Sequence, residues 1–436
     1  MGSSVQRIVL SGYYGFDNSG DEAVLQSILL ALKEQGREQG ITIEPIVLSA
    51  NPERTRQMYG VRVYHRMKLP QVLKALRESD GLISGGGSLL QDATSAKSIP
   101  YYLGILKLAQ WLGKPTFIYS QGIGPVNRRM FDGWIRSVFK RCAYVSVRDV
   151  ESADLLASMR FPRERAQVVP DPVMGLPLRS SGASSSSGES GASGLTEASG
   201  VTGVSGASGA AGAIETSGGV GASNASGASG ASGAARAAAD SPLLGAVSVG
   251  ASSAPAGVRT VGVSVRFWNR DRSELEALSR SLTLLLAARD VRLRFLPFHL
   301  PEDEVASDYV ISRLGGDHGD RVEMMRGIAH PQDMLEQVAH CDLLIGMRLH
   351  ALIYAASQFV PMVGISYDPK IDQFLHRLGM KAAASTTQFD AAALTAEAVS
   401  LLDGRDAWAA DKKAVIEQLK AEAQRPAQQI LSFFQK

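Results

Sequence analysis

The sequence predicts an α/β protein built from two Rossmann-like halves. Two observations carry this. Short β-branched runs alternate with amphipathic helical stretches along most of the chain, the pattern of parallel strands wrapped by helices. A tract over residues 180–257, made almost wholly of Gly, Ala, Ser and small apolar residues, interrupts the alternation. At 436 residues the chain exceeds one ordinary core, since domains run to about 100–200 residues. The expected division is therefore residues 1–178, a low-complexity linker over 179–257, and residues 258–436 with a C-terminal helix.

In the first half, RIVLSG, IEPIVLS, GLISGG, PTFIYSQG and AYVSVR read as strands. The runs DEAVLQSILLALKEQ, QVLKALRE, IPYYLGILKLAQWLG and FDGWIRSVFKRC between them read as helices, each ending near a glycine, a basic residue or a turn. The tract cannot bury enough apolar surface to offset its ordering entropy and reads as a flexible tether. The second half restarts with TVGVSVRFW and continues through VRLRFLPF, CDLLIGM and PMVGISY. Its helical runs are SELEALSRSLTLLLAARD, PQDMLEQVAH, RLHALIYAASQF and AAALTAEAVSLLDG. Two such halves create a cleft at the carboxyl ends of their strands, where open α/β sheets bind ligands.

Composition narrows the function classes. A net charge of +2 with 20% charged residues gives no basic face for nucleic acid. The first residues run directly into a strand without the apolar core of a signal peptide, and no later apolar run reaches the ~18 residues of a membrane span. A cytoplasmic protein is the expectation, and the two cysteines, Cys142 and Cys341, read as buried reduced thiols. No metal-ligand spacing, G-x-S-x-G elbow or Walker A loop is present, so no metal or cofactor is expected.

Two glycine-punctuated loops are candidate ligand contacts. The first runs from Gly12 through Asn18, Ser19, Gly20 and Asp21 into a helix whose N-terminus offers free N–H groups. Its spacing is not G-x-G-x-x-G, which argues against a dinucleotide, and capping by Ser19 or Asp21 would explain it equally well. The second, Gly85, Gly86 and Gly87, lets the backbone approach a ligand closely, although packing alone also selects such turns. Cations are the sharper signal. Arg148 and Arg266 end strands, Arg348 and Lys370 follow strands, and His350 opens a helix beside Arg348. A cation at a helix N-terminus meets the wrong end of the dipole, at a cost of about 0.3–1 kcal/mol that a bound anion would offset. Each alone could be an ordinary ion-pair partner; together they suit a small, densely charged anion. His350 is the best acid/base candidate among the histidines.

The strings YYGFDNSGDEAVL, LISGGGSLLQD, YSQGIGP, VSVRD, VVPDP, GVSVR, GMRLHALIYAA and GISYDPKI, in this order, resemble the polysaccharide pyruvyltransferase family, specifically its Gram-positive cell-wall members of the CsaB type. The resemblance spans both halves, and only the tract departs from it. It implies a fold like that of GT-B glycosyltransferases and a donor, phosphoenolpyruvate, that is a co-substrate and not a cofactor. The implied acceptor is a lipid-linked amino-sugar disaccharide whose N-acetylmannosamine becomes a 4,6-ketal of pyruvate, with release of phosphate. Such an acceptor is compatible with peripheral contact at the cytoplasmic face of the membrane. Carried over by motif, donor binding and catalysis fall on Arg148, His350 and Lys370. Arg266, Arg348, Asn18, Asp21, Gly86 and Gly87 complete the expected substrate-binding set. A nucleotide-sugar glycosyltransferase and a non-catalytic wall-assembly protein remain as alternatives.

Overall fold

The computed structural model describes residues 4–92, 97–179 and 257–435. The expected linker over 179–257 lies, except for its two end residues, outside the described residues. In the first half the strands are β1 (Ser4–Ser11), β2 (Ile41–Ser49), β3 (Arg62–His65), β4 (Gly81–Gly85), β5 (Thr116–Gln121), β6 (Tyr144–Val147) and β7 (Gln167–Val168). Between them run α1 (Ser19–Gln39), α2 (Pro52–Tyr59), α3 (Leu69–Glu78), α4 (Ser98–Trp111), α5 (Met130–Phe139) and α6 (Val150–Ser158). The second half has β8 (Arg259–Ser264), β9 (Val291–Phe295), β10 (Val322–Met324), β11 (Leu343–Gly346), β12 (Met362–Ser366) and β13 (Ala384–Ser385). Its helices are α7 (Ser273–Ala288), α8 (Glu302–Ile311), α9 (Pro331–Ala339), α10 (Leu349–Ser357), α11 (Pro369–Arg377), α12 (Ala391–Asp403), α13 (Arg405–Ala423) and α14 (Arg425–Phe434).

Both sheets are parallel and doubly wound, in the orders β3-β2-β1-β4-β5-β6-β7 and β10-β9-β8-β11-β12-β13. Strand order reverses between β1 and β4 and again between β8 and β11. Loops leaving the carboxyl ends of these strands open the crevices that bind ligands in such sheets.

Alternating residues of each buried strand feed different cores, as the two-residue period of a strand requires. Ile8 and Leu10 of β1 face one cluster and Val9 faces another. The Val9 cluster lies under α3, α4 and α5, and a third cluster lies between the second sheet and α7, α8 and α12. The Ile8 cluster is shared by both halves: α1 and β1 contribute to it together with α9, α10 and Leu344 of β11. The C-terminal helices join this shared core. Phe433 and Phe434 of α14 pack on Phe117 of β5, with ring centroids 5.4 and 5.7 Å away.

Cys142 and Cys341 are buried and unpaired, and burial pushes both thiols up to about 12. No helix among the described residues is long and apolar enough to cross a membrane.

Candidate active site

The loop between β1 and α1 sits directly on the loop between β9 and α8. The Ser19 N–H donates to the Phe298 carbonyl at 2.7 Å, and the Leu300 N–H donates to the Asp17 carbonyl at 3.1 Å. Tyr354 of α10 donates its hydroxyl proton to the Ser19 carbonyl at 3.2 Å. On the other side, Arg377 of α11 donates to the Arg148 carbonyl at 2.8 Å. Between these two seams the strand-end loops of both sheets enclose a cavity of about 510 Å³.

Of the sequence-predicted residues, Asn18, Asp21, Gly87, Arg148, Arg266, Arg348, His350 and Lys370 all line this cavity. Asn18 is the N-cap of α1, its side-chain oxygen accepting from the N–H groups of Gly20 and Asp21, so the capping role weighed for Ser19 or Asp21 belongs to Asn18. Gly86 is not among the lining residues. At φ +63° it turns the chain against α1, where a Cβ would lie 1.9 Å from Val24 Cγ1. Gly87, at φ +68°, faces Asp21, whose Oδ1 would lie 3.1 Å from a Cβ there.

The cations differ in how far their charge is already matched. Arg348, at the start of α10, makes a two-pronged pair with the fully buried Asp303, Nε to Oδ2 at 2.9 Å and Nη2 to Oδ1. Asp303 also accepts the N–H groups of Phe298 and His299, which fixes the β9–α8 loop. Arg348 therefore shapes the wall with its charge spent. Arg148 is buried, donates to Ser88 Oγ at 2.8 Å, and stands 3.4 Å from Asp149 and 3.7 Å from Asp171. Lys370 pairs with its cap residue Asp368 at 3.1 Å. Arg266 has no carboxylate within ion-pair distance among the described residues. It donates to the Tyr367 hydroxyl at 3.1 Å and lies over the Tyr367 and Trp268 rings at 4.8 and 5.3 Å.

His350 stands at the entry of α10, pressed against the first turn of α1: a Cβ on Gly20 would lie 2.1 Å from its Nδ1. Its Nε2 is 3.7 Å from Asp171 Oδ2, and neither buried atom has a hydrogen-bond partner among the described residues. The contact is thus an electrostatic one. Burial penalises the Asp171 carboxylate, but His350 and then Arg148 outweigh it and hold the group below its ordinary range. Asp21 behaves oppositely. Burial pushes its carboxyl up to about 6, with His350 opposing the shift and the charge of Asp171 adding to it. Two carboxyls beside one histidine are therefore biased apart, one held toward ionisation and the other pushed toward its protonated form.

Sequence reasoning missed several residues of this cavity. Asp171 lies in the VVPDP string but drew no role. Arg66 follows β3 as Arg148 follows β6, so the strand-end signal was present; β3, with four residues, was too short to read as a strand. Tyr13, Tyr101 and Tyr102 flank Arg66 in the cavity wall.

The sequence matches the family profile described as polysaccharide pyruvyl transferase over residues 18–369, a span that includes every lining residue discussed except Tyr13 and Lys370. The chain belongs to the polysaccharide pyruvyl transferase family. As a polysaccharide pyruvyl transferase it is a transferase that binds a sugar acceptor. Curated protein sequences contain no match to it. Among solved structures, it is similar to HepE of Anabaena in complex with UDP-glucose, at 12% identity and a TM-score of 0.55, covering 98% of this chain and 100% of that one. The UDP-GlcNAc 2-epimerase of Neisseria meningitidis bound to UDP-GlcNAc gives 8% identity and 0.55, over 98% and 99% of the two chains. The UDP-GlcNAc 2-epimerase of Methanocaldococcus jannaschii gives 9% and 0.52, over 91% and 92%. At such identities these likenesses establish the fold alone, and the expected GT-B-like arrangement of the pyruvyl transferase is borne out.

Proposed function

We propose that this pyruvyl transferase uses phosphoenolpyruvate as donor and forms a 4,6-ketal on the N-acetylmannosamine of a lipid-linked cell-wall precursor, as CsaB-type members do. The observation that supports this reading best is the convergence of Arg148 from one half with Arg266, His350 and Lys370 from the other on a single cavity. A donor carrying a carboxylate and a phosphate within a few bonds calls for several cations. Arg148 and Lys370 hold these groups, and Arg266 brings a positive charge that no carboxylate has already claimed.

The chemistry needs a proton before it needs a nucleophile. Protonation of the donor's methylene carbon turns it into a methyl group and leaves C2 as an oxocarbenium-like centre. One sugar hydroxyl attacks C2 and gives up its proton. The bond from C2 to the phosphate oxygen then breaks, the cations stabilise the departing phosphate, and the second hydroxyl attacks C2 to close the ketal. Of the two hydroxyl protons, one replaces the proton spent on the methylene and the other leaves with phosphate, so the reaction needs no further reagent. Asp21, whose carboxyl burial pushes up to about 6, suits the first step. His350, beside the ionised Asp171, suits the removal of hydroxyl protons.

The test is phosphate release from phosphoenolpyruvate with and without a lipid-linked N-acetylmannosamine acceptor. Acceptor-dependent release is expected. Sugar transfer from a nucleotide sugar in its place would reassign the cavity to a glycosyltransferase, and turnover with neither donor would favour a non-catalytic role.

A further inference from the structure

The wall of the cavity built by the first half carries a buried guanidinium with no counter-charge. Arg66 is only 7% exposed, yet no carboxylate stands within ion-pair distance of it among the described residues. Its Nη1 donates to the Gly12 carbonyl at 2.9 Å and its Nη2 to the Tyr102 hydroxyl at 3.1 Å. The rest of its surroundings is aromatic. The guanidinium carbon lies 4.5 Å from the Tyr101 ring centre, 5.4 Å from Tyr102, 5.2 Å from Phe16 and 5.9 Å from Tyr13. Tyr13 stacks on Phe16 at 4.0 Å with the rings nearly parallel, and is 37% exposed. The Tyr101 hydroxyl donates back to the Arg66 carbonyl, so the cluster is held rigidly around the arginine.

A guanidinium has five donors in a fixed fork, and two neutral acceptors do not exhaust it. Rings that face a cavity offer apolar surface for the C–H face of a sugar, while the arginine offers donors to its hydroxyls. We propose that Tyr13, Arg66, Tyr101 and Tyr102 form the acceptor subsite, seating a pyranose ring of the acceptor saccharide opposite the cations that hold the donor. The loops following β1 and β3 and the first turns of α4 build this wall, whereas Arg266, Lys370 and His350 come from the second half. Donor and acceptor thus meet across the seam between the two halves. The inference rests on the pyruvyl-transfer reading and adds the residues that choose the acceptor.

Two measurements separate it from that reading. A short-chain alkyl diphosphate of an N-acetylmannosamine-terminated disaccharide and phosphoenolpyruvate are each titrated into the protein by calorimetry, and both are varied in the phosphate-release assay. Tyr13→Ala, at an exposed position that tolerates truncation, and Arg66→Lys are compared with the unaltered chain. The subsite predicts a rise in saccharide Kd and acceptor KM of about tenfold or more in both variants, with the phosphoenolpyruvate Kd within about twofold, one factor of ten being about 1.4 kcal/mol. Unchanged saccharide binding, weakened phosphoenolpyruvate binding, or no saccharide binding by the unaltered chain would each overturn the subsite. Saccharide binding that depends on Tyr13 without any phosphate release would instead leave the subsite standing and remove the donor chemistry.

Discussion

Individual side chains in the cavity are set by what holds them from behind. Arg148 bridges Ser88 and the carboxylates of Asp149 and Asp171, a geometry that needs the planar fork of a guanidinium. Alanine at Arg148, His350 or Lys370 is expected to lower kcat/KM by about 30- to 1,000-fold, or about 2 to 4 kcal/mol, without changing the far-UV dichroism. Arg148→Lys should stay impaired. Asp21 gives a second prediction, on stability. Its folded-state carboxyl titrates at about 6, above the 3.8 of an exposed aspartate. Between these values the folded chain binds more protons than the unfolded one, so stability falls as pH rises from about 4 to about 6 and stays reduced above. Asp21→Asn should therefore raise Tm at pH 7–8, by a gain on the order of 2 kcal/mol, and leave it unchanged at pH 4 and below. Melting curves across that range would show it, and an equal gain at every pH would refute the burial argument. The strand-end cations were legible because strand ends were. Asp171 was not, since nothing local in VVPDP says that a histidine about 180 residues away will face it.

At the scale of elements, two glycines that look alike in sequence do different work. Gly20, in the first turn of α1, leaves room for His350; Gly86 lets the β4 loop turn at positive φ against Val24. Gly20→Ala should keep the fold, since alanine favours helix by about 1 kcal/mol, but displace His350 and reduce kcat/KM by tenfold or more. Gly86→Ala meets both a left-handed backbone and a contact at 1.9 Å, so it should cost more than about 2 kcal/mol of stability in urea unfolding. A Gly86→Ala chain with unaltered stability would contradict the packing described. Central strands such as GLISG were legible because burial on both faces leaves a continuous apolar run. The edge strands β3, β7, β10 and β13 were not: with two to four residues each they are too short to show a period.

Across the whole molecule, the shared core between the halves and the return of the C-terminal helices make the cavity a product of both sheets. The alternation of elements foretold two parallel sheets, yet the destination of α14 was not readable, because an amphipathic helix shows that one face is buried and not against what. Phe434 of α14 approaches Gly81 and Phe117 in the first sheet. Phe434→Ala should therefore cost about 2 to 4 kcal/mol and speed amide exchange in β5, far from it in sequence. Exchange that rose only within α14 would contradict this bracing. The central claim, that the two halves close on phosphoenolpyruvate and pass its pyruvyl group to a sugar, is tested most directly by following phosphate and acceptor together. With an N-acetylmannosamine-terminated lipid acceptor, phosphate release should require the acceptor, and mass spectrometry should find the acceptor carrying a pyruvate ketal in equal amount. Phosphate release with the acceptor unmodified, or modification by a sugar from a nucleotide donor while phosphoenolpyruvate is untouched, would contradict it.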